Sequence, residues 1–322
     1  MDNTLGSLFA ECHIFTAFYE QEKPGYLRIT GDDRHTFLQR QTTNDINLLS
    51  PERSLVTVLT SPTGRILDVL WVIDEDEAFG VLTLPGQGEQ TFNFLSSRIF
   101  FMDKVSLVDA SHEICQIDLL GPGASEFLQE LGAVRNPQEN ETLSIKIAQI
   151  PVRVLFQRNA DHRLLIPREA CHQVLNELEN NGATQLSPES YEILRIETGL
   201  PAAGHELTED YTPLETGFQW TISDNKGCYT GQEVIARQVN YDKITRQLVG
   251  LLMSDVPQIG GTLYPLNKEQ PVGKITSLAL SPRFGPIALA IVKRPFHQPG
   301  NELVTHSEEQ NITATTTALP FQ

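Results

Sequence analysis

Apolar and polar positions in the first 240 residues follow one order of elements twice. Residues 29–40 (ITGDDRHTFLQR) and 119–130 (LLGPGASEFLQE) each place an apolar strand end before a glycine, which permits a tight turn. A short helical pattern that buries Phe and Leu follows each glycine. Residues 80–98 and 163–182 each read as an apolar strand that ends in proline and continues as a helix. A hairpin pattern precedes both of these strands, because two strand-like runs flank a turn rich in Asp, Asn or Gly.

This repeated order predicts the fold class of the body. Strand, helix, hairpin, strand, helix, strand is typical of an α+β unit of the split β-α-β, ferredoxin-like kind. Because four elements recur in matching order, we predict two tandem units packed side by side in residues 1–240. The internal boundary between them is expected near residues 110–120.

From about residue 244 the pattern changes to short apolar runs with no helix between them. RQLVGLLMS, GTLYPL, PVGKITSLALS, PIALAIVKR and NELVTH are strand candidates separated by Pro, Gly, Asn and Asp. Residues 241–322 are therefore predicted to form a small β-barrel that packs on the body. The final ITATTTALPFQ is either its last strand or a loose end.

Charge and length limit the classes of function. The chain of 322 residues carries 24 Lys and Arg against 41 Asp and Glu, a formal charge of −17. A nucleic-acid partner is not expected, because such binding needs a basic surface that releases counterions. No apolar run approaches the roughly 18 to 20 residues that span a membrane, and the N-terminus lacks the basic region of a signal peptide. We expect a cytoplasmic monomer without a membrane partner.

The cysteines and histidines argue against a self-contained metal site. Cys12, Cys115, Cys171 and Cys228 stand far apart with no CxxC pair, and the eight histidines form no HExxH motif. A disulfide framework is not expected either in a chain of this size without secretion signals. No metal is predicted, and any metal would have to be shared with a partner.

Two polar groups in the first unit are candidates for a binding site. Asn44 and Asp45 follow the first predicted helix, where they either cap a turn or line a cleft. Asp68 lies on the apolar strand of SPTGRILDVLWV, so its carboxylate needs a partner or a solvated cavity. The partner is either Arg65, in a salt bridge, or a ligand with a protonatable nitrogen.

A long loop follows the helix predicted in SPESYEILRIETG. Arg195 and Glu197 lie near the end of that helix, which Gly199 ends. The loop beyond it carries Glu206 and Glu215 among glycines and prolines. Loops of this length usually bind something, and the alternative is an acidic, solvated segment.

The stretch KGCYTGQEVIARQ, residues 226–238, offers a thiol. Gly227 and Gly231 flank Cys-Tyr-Thr, and good helix-forming residues follow. Cys228 would lie at or just before the N-terminus of that helix, where the orphan N–H groups and Lys226 favour the thiolate. No neighbouring histidine supplies a general base, so a Cys-His hydrolase is not favoured. A small buried filler is the alternative for this cysteine.

Three stretches are similar to the aminomethyltransferase (glycine cleavage T-protein) superfamily of folate-binding proteins. RIETGLPAAGHEL…TPLETGF resembles the RxExGxxxxGxEL/D…PxExG run, and GRILDVLWV resembles the Gly-(Gly/Arg)-Ile-Leu-Asp strand. GKITSLALSPRFGPIALAIVKR is similar to the pattern of the C-terminal barrel, so the resemblance extends nearly end to end. It implies a central channel that holds tetrahydrofolate, or a one-carbon derivative, with the pterin inside and the glutamyl tail outside.

The motif KGCYTGQEV resembles the K-G-C-Y-x-G-Q-E signature of the YgfZ branch of that superfamily. This branch consists of tetrahydrofolate-dependent factors that support iron–sulfur cluster assembly or repair, and true T-proteins generally lack the cysteine motif. The resemblance implies a functional role for the motif, in which Cys228 acts as the thiol. The other motif residues are Lys226, Gly227, Gly231, Gln232 and Glu233.

The resemblance also implies which residues bind the folate. Glu197 falls where the family has the carboxylate that accepts hydrogen bonds from the pterin edge. Asp68 falls in the T-protein strand that reads ILDD, but Val69 replaces its second acid, which puts ordinary aminomethyl transfer in doubt. The looser pocket candidates are Asn44, Asp45, Tyr229 for stacking and Arg237 for the glutamyl tail.

Three functions follow from these observations. The first is a folate-binding accessory protein that works with iron–sulfur assembly machinery or its client proteins, and that is not a classical enzyme. The second is a folate-dependent one-carbon transferase of the T-protein type. The third is a binding module without chemistry.

Overall fold

The computed structural model describes residues 16–133, 139–156, 162–266, 269–306 and 311–322. Cys12 lies outside the described residues. The described strands are β1 Ala17–Glu20, β2 Gly25–Thr30, β3 Leu55–Thr60, β4 Ile66–Asp74, β5 Ala78–Thr83, β6 Ser106–Asp109, β7 Ile114–Leu120, β8 Thr142–Ile147, β9 Ile150–Phe156, β10 His162–Pro167, β11 Thr184–Gln185, β12 Arg246–Met253, β13 Thr262–Pro265, β14 Gly273–Ser281, β15 Gly285–Lys293, β16 Glu302–His306 and β17 Asn311–Thr317. The described helices are α1 Arg34–Gln41, α2 Gly88–Ser96, α3 Ala124–Glu130, α4 Cys171–Asn180, α5 Pro188–Thr198 and α6 Gln232–Asn240.

The predicted duplication is confirmed by the two sheets of the body. One sheet has the order β3-β4-β5-β2-β6, and the other has the order β8-β9-β10-β7-β1-β11. Each unit runs strand, helix, hairpin, strand, helix, strand, and the two orders correspond strand for strand. The difference is β1, which enters the second sheet between β7 and β11 and pairs antiparallel with β7.

Each sheet buries one face against its own helices and meets the other sheet through its opposite face. Phe37 and Leu38 of α1 pack in the core of the first unit, and the corresponding Phe127 and Leu128 of α3 pack in that of the second. These are the Phe-Leu pairs of the repeated sequence pattern. Both residues of each pair are buried, because two neighbouring positions of a short helix can both contact the broad face of a sheet. A third cluster joins the two sheets, and its members include Tyr26, Trp71, Leu82, Leu155 and Leu165.

The C-terminal strands form a closed six-stranded barrel of order β12-β15-β14-β13-β16-β17 within the described residues. Val249, Leu251 and Met253 alternate along β12 and point into its core, as a half-buried strand requires. The final segment provides β17, which pairs with both β12 and β16. The last-strand interpretation of this segment is therefore correct, and it completes a sheet without free edges.

Helix α5 lies between the body and the barrel. Ser187 caps its N-terminus by accepting a hydrogen bond from Ser190 N, and Gly199 ends it in the left-handed conformation with φ +75°. Ile196 packs with Ile287 and Leu289 of the barrel. None of the helices in the described part of the chain is long and apolar enough to cross a membrane.

A disulfide joins Cys115 of β7 to Cys171, the first residue of α4, although no disulfide framework was expected. The two Cα atoms lie 6.0 Å apart, within the usual range for a bridge. Cys115 pairs with Ile166 of β10, so the chain that leaves β10 reaches Cys171 beside it. The two cysteines are 56 positions apart in the sequence, so the contact was not predictable; the pairing of β7 with β10 brings them together.

Candidate functional site

The loop before α6 is fixed against the end of β3. Thr60 Oγ1 donates a hydrogen bond to Thr230 O over 2.6 Å. Gly231 precedes α6 with φ +83°, and a Cβ there would lie 2.6 Å from Ser61 O. Gly231 is therefore required both by its backbone conformation and by the close approach of another segment. Gly227 has open space where a Cβ would be.

Lys226 anchors the other side of the loop. Its Nζ donates to Thr42 O and Asn44 O, both over 2.6 Å, and lies 5.2 Å from the centre of the Tyr229 ring. Burial lowers the pKa of Lys226 to about 8, although the nearby Asp45 carboxylate acts in the opposite direction. Lys226, two positions before Cys228, is thus bonded to the segment that follows α1, more than 180 positions earlier.

Cys228 itself is a free thiol and is exposed. It stands three residues before Gly231, and Gln232 begins the helix. The buried-filler interpretation is therefore wrong. The ammonium of Lys226, which was expected to favour the thiolate, makes its two bonds to carbonyls of the first unit.

The other candidates of this motif have roles within the protein. Tyr229 is buried with Leu214 and Ile235, and burial together with Asp224 raises its pKa to about 12. Arg237 forms an exposed i, i+4 ion pair with Glu233 over 3.0 Å. Of these side chains, Arg237 is open to a ligand from solvent, whereas the Tyr229 ring is packed in the core.

Asn44 and Asp45 form a capped turn. Asn44 Nδ2 donates to Val56 O over 2.8 Å, and Asp45 N donates to Asn44 Oδ1 over 2.9 Å. Asp45 Oδ1 accepts from Gln39 and from the backbone and side chain of Asn47. Desolvation raises the pKa of Asp45, but these hydrogen bonds outweigh it and lower the pKa overall. The turn contacts Lys226, so this segment and the cysteine motif form one constellation.

Asp68 is completely buried, and protein groups satisfy it. Its Oδ1 accepts from Val69 N over 2.8 Å and from Leu84 N over 3.1 Å, and its Oδ2 accepts from Thr91 Oγ1 over 2.5 Å. Burial raises the pKa of Asp68 to about 7, and the three hydrogen bonds act against that shift. The carboxylate thus links β4 to the end of β5 and to α2. Its role toward a folate stays a prediction.

Arg65, one of the two partners considered for Asp68, instead contacts a different acid. Its NH1 lies 3.4 Å from Glu215 Oε2 and donates to Asp210 O. Arg246 of the barrel binds Glu215 through two hydrogen bonds of 2.8 and 3.1 Å. Glu215 is 3% exposed, so it joins loop, body and barrel rather than facing solvent. The solvated-loop interpretation is wrong for this acid.

A second buried acid of the same loop repeats this arrangement. Glu206 is completely buried and accepts from Ser277 Oγ over 2.6 Å and from Ala202 N over 3.0 Å. Arg195 donates to Ser277 Oγ over 2.7 Å and lies 3.6 Å from Glu206. The network couples α5 to β14 of the barrel. It was not predicted, because the sequence does not show how close in space an acid and a base lie when they are 11 positions apart across a loop.

Glu197 faces the barrel. Its Oε1 accepts from Ser281 Oγ over 2.5 Å, and its backbone carbonyl accepts from Phe321 N over 2.9 Å. It is 9% exposed. Asp68 and Glu197 have separate partners, and the structure does not bring these two acids into one hydrogen-bonded group.

A polar cluster that sequence reasoning missed lies buried between the two sheets. Asp118 accepts two hydrogen bonds from Arg163, over 2.6 and 3.0 Å, and one each from Tyr191 and Gln21 over 2.7 Å. Arg163 lies 5.9 Å from the ring of Trp71, whose buried Nε1 has no hydrogen-bond partner among the described residues. The signal was available, because Asp118, like Asp68, is one carboxylate in an apolar strand.

Comparisons with known proteins agree with this architecture. Residues 13–226 match the GCVT N-terminal domain, and residues 246–322 match the glycine cleavage T-protein C-terminal barrel domain. An aminomethyltransferase of Desulforamulus reducens is 31% identical over 92% of this chain and 84% of its own length. A chloroplastic protein of Arabidopsis thaliana that is provisionally named as a transferase is 30% identical over 90% of this chain and 68% of its own length.

A solved structure shows the same fold. The glycine cleavage system aminomethyltransferase T of Bartonella henselae superposes with a TM-score of 0.85 at 20% identity, over 99% of this chain and 89% of the other. The two domain matches, over residues 13–226 and 246–322, show that the chain belongs to the glycine cleavage T-protein family.

Proposed function

We propose that this protein is a tetrahydrofolate-binding accessory factor for iron–sulfur cluster assembly or repair, in which Cys228 is the functional thiol. The observation that carries the proposal is an exposed thiol on a backbone that is fixed from both sides. Lys226 holds the loop by two buried hydrogen bonds, and Thr60 holds it at Thr230. A loop built this way presents a sulfur to a partner at a defined position.

The thiol inventory supports a shared cluster rather than a resident one. Iron–sulfur clusters are usually held by four thiolates. Cys115 and Cys171 are paired with each other, which leaves Cys228 as the free thiol of the described residues. It supplies one ligand or one nucleophilic sulfur, and the partner supplies the remaining ligands of the cluster, which is cargo here.

An unpaired donor beside the buried cluster supports the binding of a reduced pterin. A pterin is flat and carries donors and acceptors on its edges, and the orphaned indole N–H of Trp71 requires an acceptor. Tyr19 and Tyr191 stack with ring centres 4.1 Å apart beside this cluster. We expect the Trp71 indole to donate a hydrogen bond to the ring. The family resemblance assigns the pterin edge to Glu197, whose carboxylate contacts Ser281 of the barrel, and Arg237 is the exposed cation available to the glutamyl tail. The bound folate would serve as the carrier of a one-carbon unit.

The test is a calorimetric titration with reduced tetrahydrofolate under anaerobic conditions. Wild type and Cys228→Ser should bind equally, whereas Glu197→Ala and Trp71→Phe should each bind at least about tenfold more weakly, since each loses one hydrogen bond in a desolvated site. Trp220→Phe, at the other tryptophan of the chain, is the matched control and should bind as wild type does. No heat and no thermal stabilisation of wild type would reject folate binding.

The thiol is tested separately by complementation. In a strain deficient in cluster maintenance, Cys228→Ser should fail to restore growth and cluster-enzyme activity, although it folds and binds folate. Full complementation by Cys228→Ser would refute the role of the thiol.

Family membership keeps one-carbon transfer as the second candidate, because the relatives compared above include named aminomethyltransferases. Val69 stands where the T-protein strand has a second acid, and Asp68 is bonded to protein donors. Incubation with tetrahydrofolate and an aminomethyl donor separates the two functions. Sustained formation of methylene-tetrahydrofolate would favour the transferase.

A further inference from the structure

Glu20, Cys115 and Cys171 converge where β1 meets β7 and where α4 begins. Glu20 Oε1 lies 3.5 Å from Cys115 Sγ and 3.8 Å from Cys171 Sγ. The three atoms all lie within 4.8 Å of one another. In the structure the two sulfurs are bonded to each other, and reduction of that bond would leave two thiols and a carboxylate facing one point.

The distances from the carboxylate are those of a zinc site. With Zn–S near 2.3 Å and Zn–O near 2.0 Å in a tetrahedron, a carboxylate oxygen and a sulfur on one ion lie about 3.5 Å apart. The separations of 3.5 and 3.8 Å match that edge for both sulfurs. We propose that the reduced protein binds Zn²⁺ through Cys115, Cys171 and Glu20, with the fourth position open.

Charge in the immediate surroundings favours a divalent ion. Two thiolates and one carboxylate carry three negative charges, and Arg168 NH1 lies 3.1 Å from Glu20 Oε1. With Zn²⁺ bound, the ion and Arg168 balance those charges, which matters because Cys115 is completely buried. Cys171 is the first residue of α4, so the helix N-terminus stabilises its thiolate as well.

The ion has a path to this site. Glu20 is about a third exposed and lines a cavity of about 560 Å³ together with Gln21, Lys23, Arg168 and Gln185. Glu20 lines the cavity and contacts both sulfurs, whereas neither cysteine lines the cavity itself. A water or an external ligand can therefore take the fourth position from the cavity.

Zinc binding requires that the Cys115–Cys171 disulfide is reduced first. A phosphine delivers two electrons to the Cys115–Cys171 bond, while water supplies the two protons of the resulting thiols and the oxygen of the phosphine oxide. Binding of Zn²⁺ then releases those two protons as the thiolates form. Neither step uses Cys228 or the folate, so the site stands or fails independently of the proposed function.

The experiment uses the full chain with Cys12→Ser and Cys228→Ser, which leaves Cys115 and Cys171 as its cysteines. After anaerobic reduction with a phosphine and removal of the reductant, alkylation and mass measurement of the folded protein should count two thiols. Competition with a chromophoric zinc chelator should then give one Zn²⁺ per chain. Replacement by Co²⁺ should give a thiolate-to-cobalt charge-transfer band.

The variants distinguish a built site from loose thiol binding. Cys171→Ser should lose the charge-transfer intensity of one sulfur and at least about tenfold in Zn²⁺ affinity, and Glu20→Gln should lose about tenfold with both sulfurs retained. Glu22→Gln, an acid on the same cavity, is the matched control and should bind as the background does. Circular dichroism confirms that each variant is folded. A pair that resists reduction in the folded chain, no Zn²⁺ binding by the background, or equal affinity in Glu20→Gln and the background would overturn the proposal.

Discussion

The buried carboxylate of Asp68 gives the sharpest test of how the body is held together. Asp68→Asn keeps the shape and removes the ionisable group. Its Oδ1 can still accept from the two backbone N–H groups, and the Thr91 hydroxyl can rotate to accept from the new amide. The variant therefore isolates the effect of the charge from the effect of lost hydrogen bonds.

The magnitude follows from the pKa of Asp68, which burial raises from 3.8 to about 7. Because the folded state favours the neutral acid, the stability that this group contributes is fully present below pH 3.8 and is lost as the pH rises through 7. Linkage gives a loss of roughly 2 kcal/mol by pH 5 and roughly 4 kcal/mol by pH 8. The free energy of unfolding of wild type, relative to Asp68→Asn, should thus fall by about 2 to 3 kcal/mol between these two pH values.

The assay is urea unfolding followed by circular dichroism at pH 5 and pH 8, for wild type and Asp68→Asn. The exposed Glu77→Gln, in the turn between β4 and β5, controls for general changes of net charge. A difference between wild type and Asp68→Asn that stays constant across the two pH values would refute the raised pKa. It would mean that Asp68 ionises in the folded protein at the same pH as in the unfolded chain.

Three further predictions concern the elements around the site. Asp45→Asn should show the opposite pH dependence, since a lowered pKa stabilises the protein above pH 3.8, and the deficit of the variant should disappear in acid unfolding curves. Gly231→Ala should lower the free energy of unfolding by at least about 1 to 3 kcal/mol, whereas Gly227→Ala, which has open space, should change it little in the same urea assay. Glu206→Ala should lower the free energy of unfolding by about 1 to 3 kcal/mol, because Ser277 Oγ and Ala202 N lose their acceptor while Arg195 keeps its ion pair with Glu192. The exposed Glu209→Ala should unfold at the wild-type midpoint, and equal midpoints for the two variants would contradict this.

Local patterns were sufficient to predict the elements and their duplicated order. The Phe-Leu pairs at Phe37 and Phe127 indicated two equivalent helices, and both lie in equivalent cores. The barrel was predictable for the same reason, because alternation along a strand and Gly or Pro at its ends depend on neighbouring residues alone. The cysteine motif could likewise be located from its glycines, one of which has the positive φ that the pattern suggested.

The partners of charged groups were not predictable from local patterns. Arg65 was one of two partners considered for Asp68, three positions away, but it contacts Glu215, 150 positions away. Two acids of the long loop were expected either to bind something or to be solvated, and they instead join the body to the barrel. A buried charge is stabilised by whichever opposite charge the fold brings beside it, and sequence distance carries no information about that.

The sequence alone thus determined the α+β duplication, the C-terminal barrel and the position of the cysteine motif, because periodicity and turn residues act over a few positions. The tertiary structure alone decided that Cys228 is exposed while Lys226 beside it is buried, and that Cys115 meets Cys171 next to Glu20. Exposure and convergence depend on how distant strands pair and how the units pack, and these are properties of the whole chain.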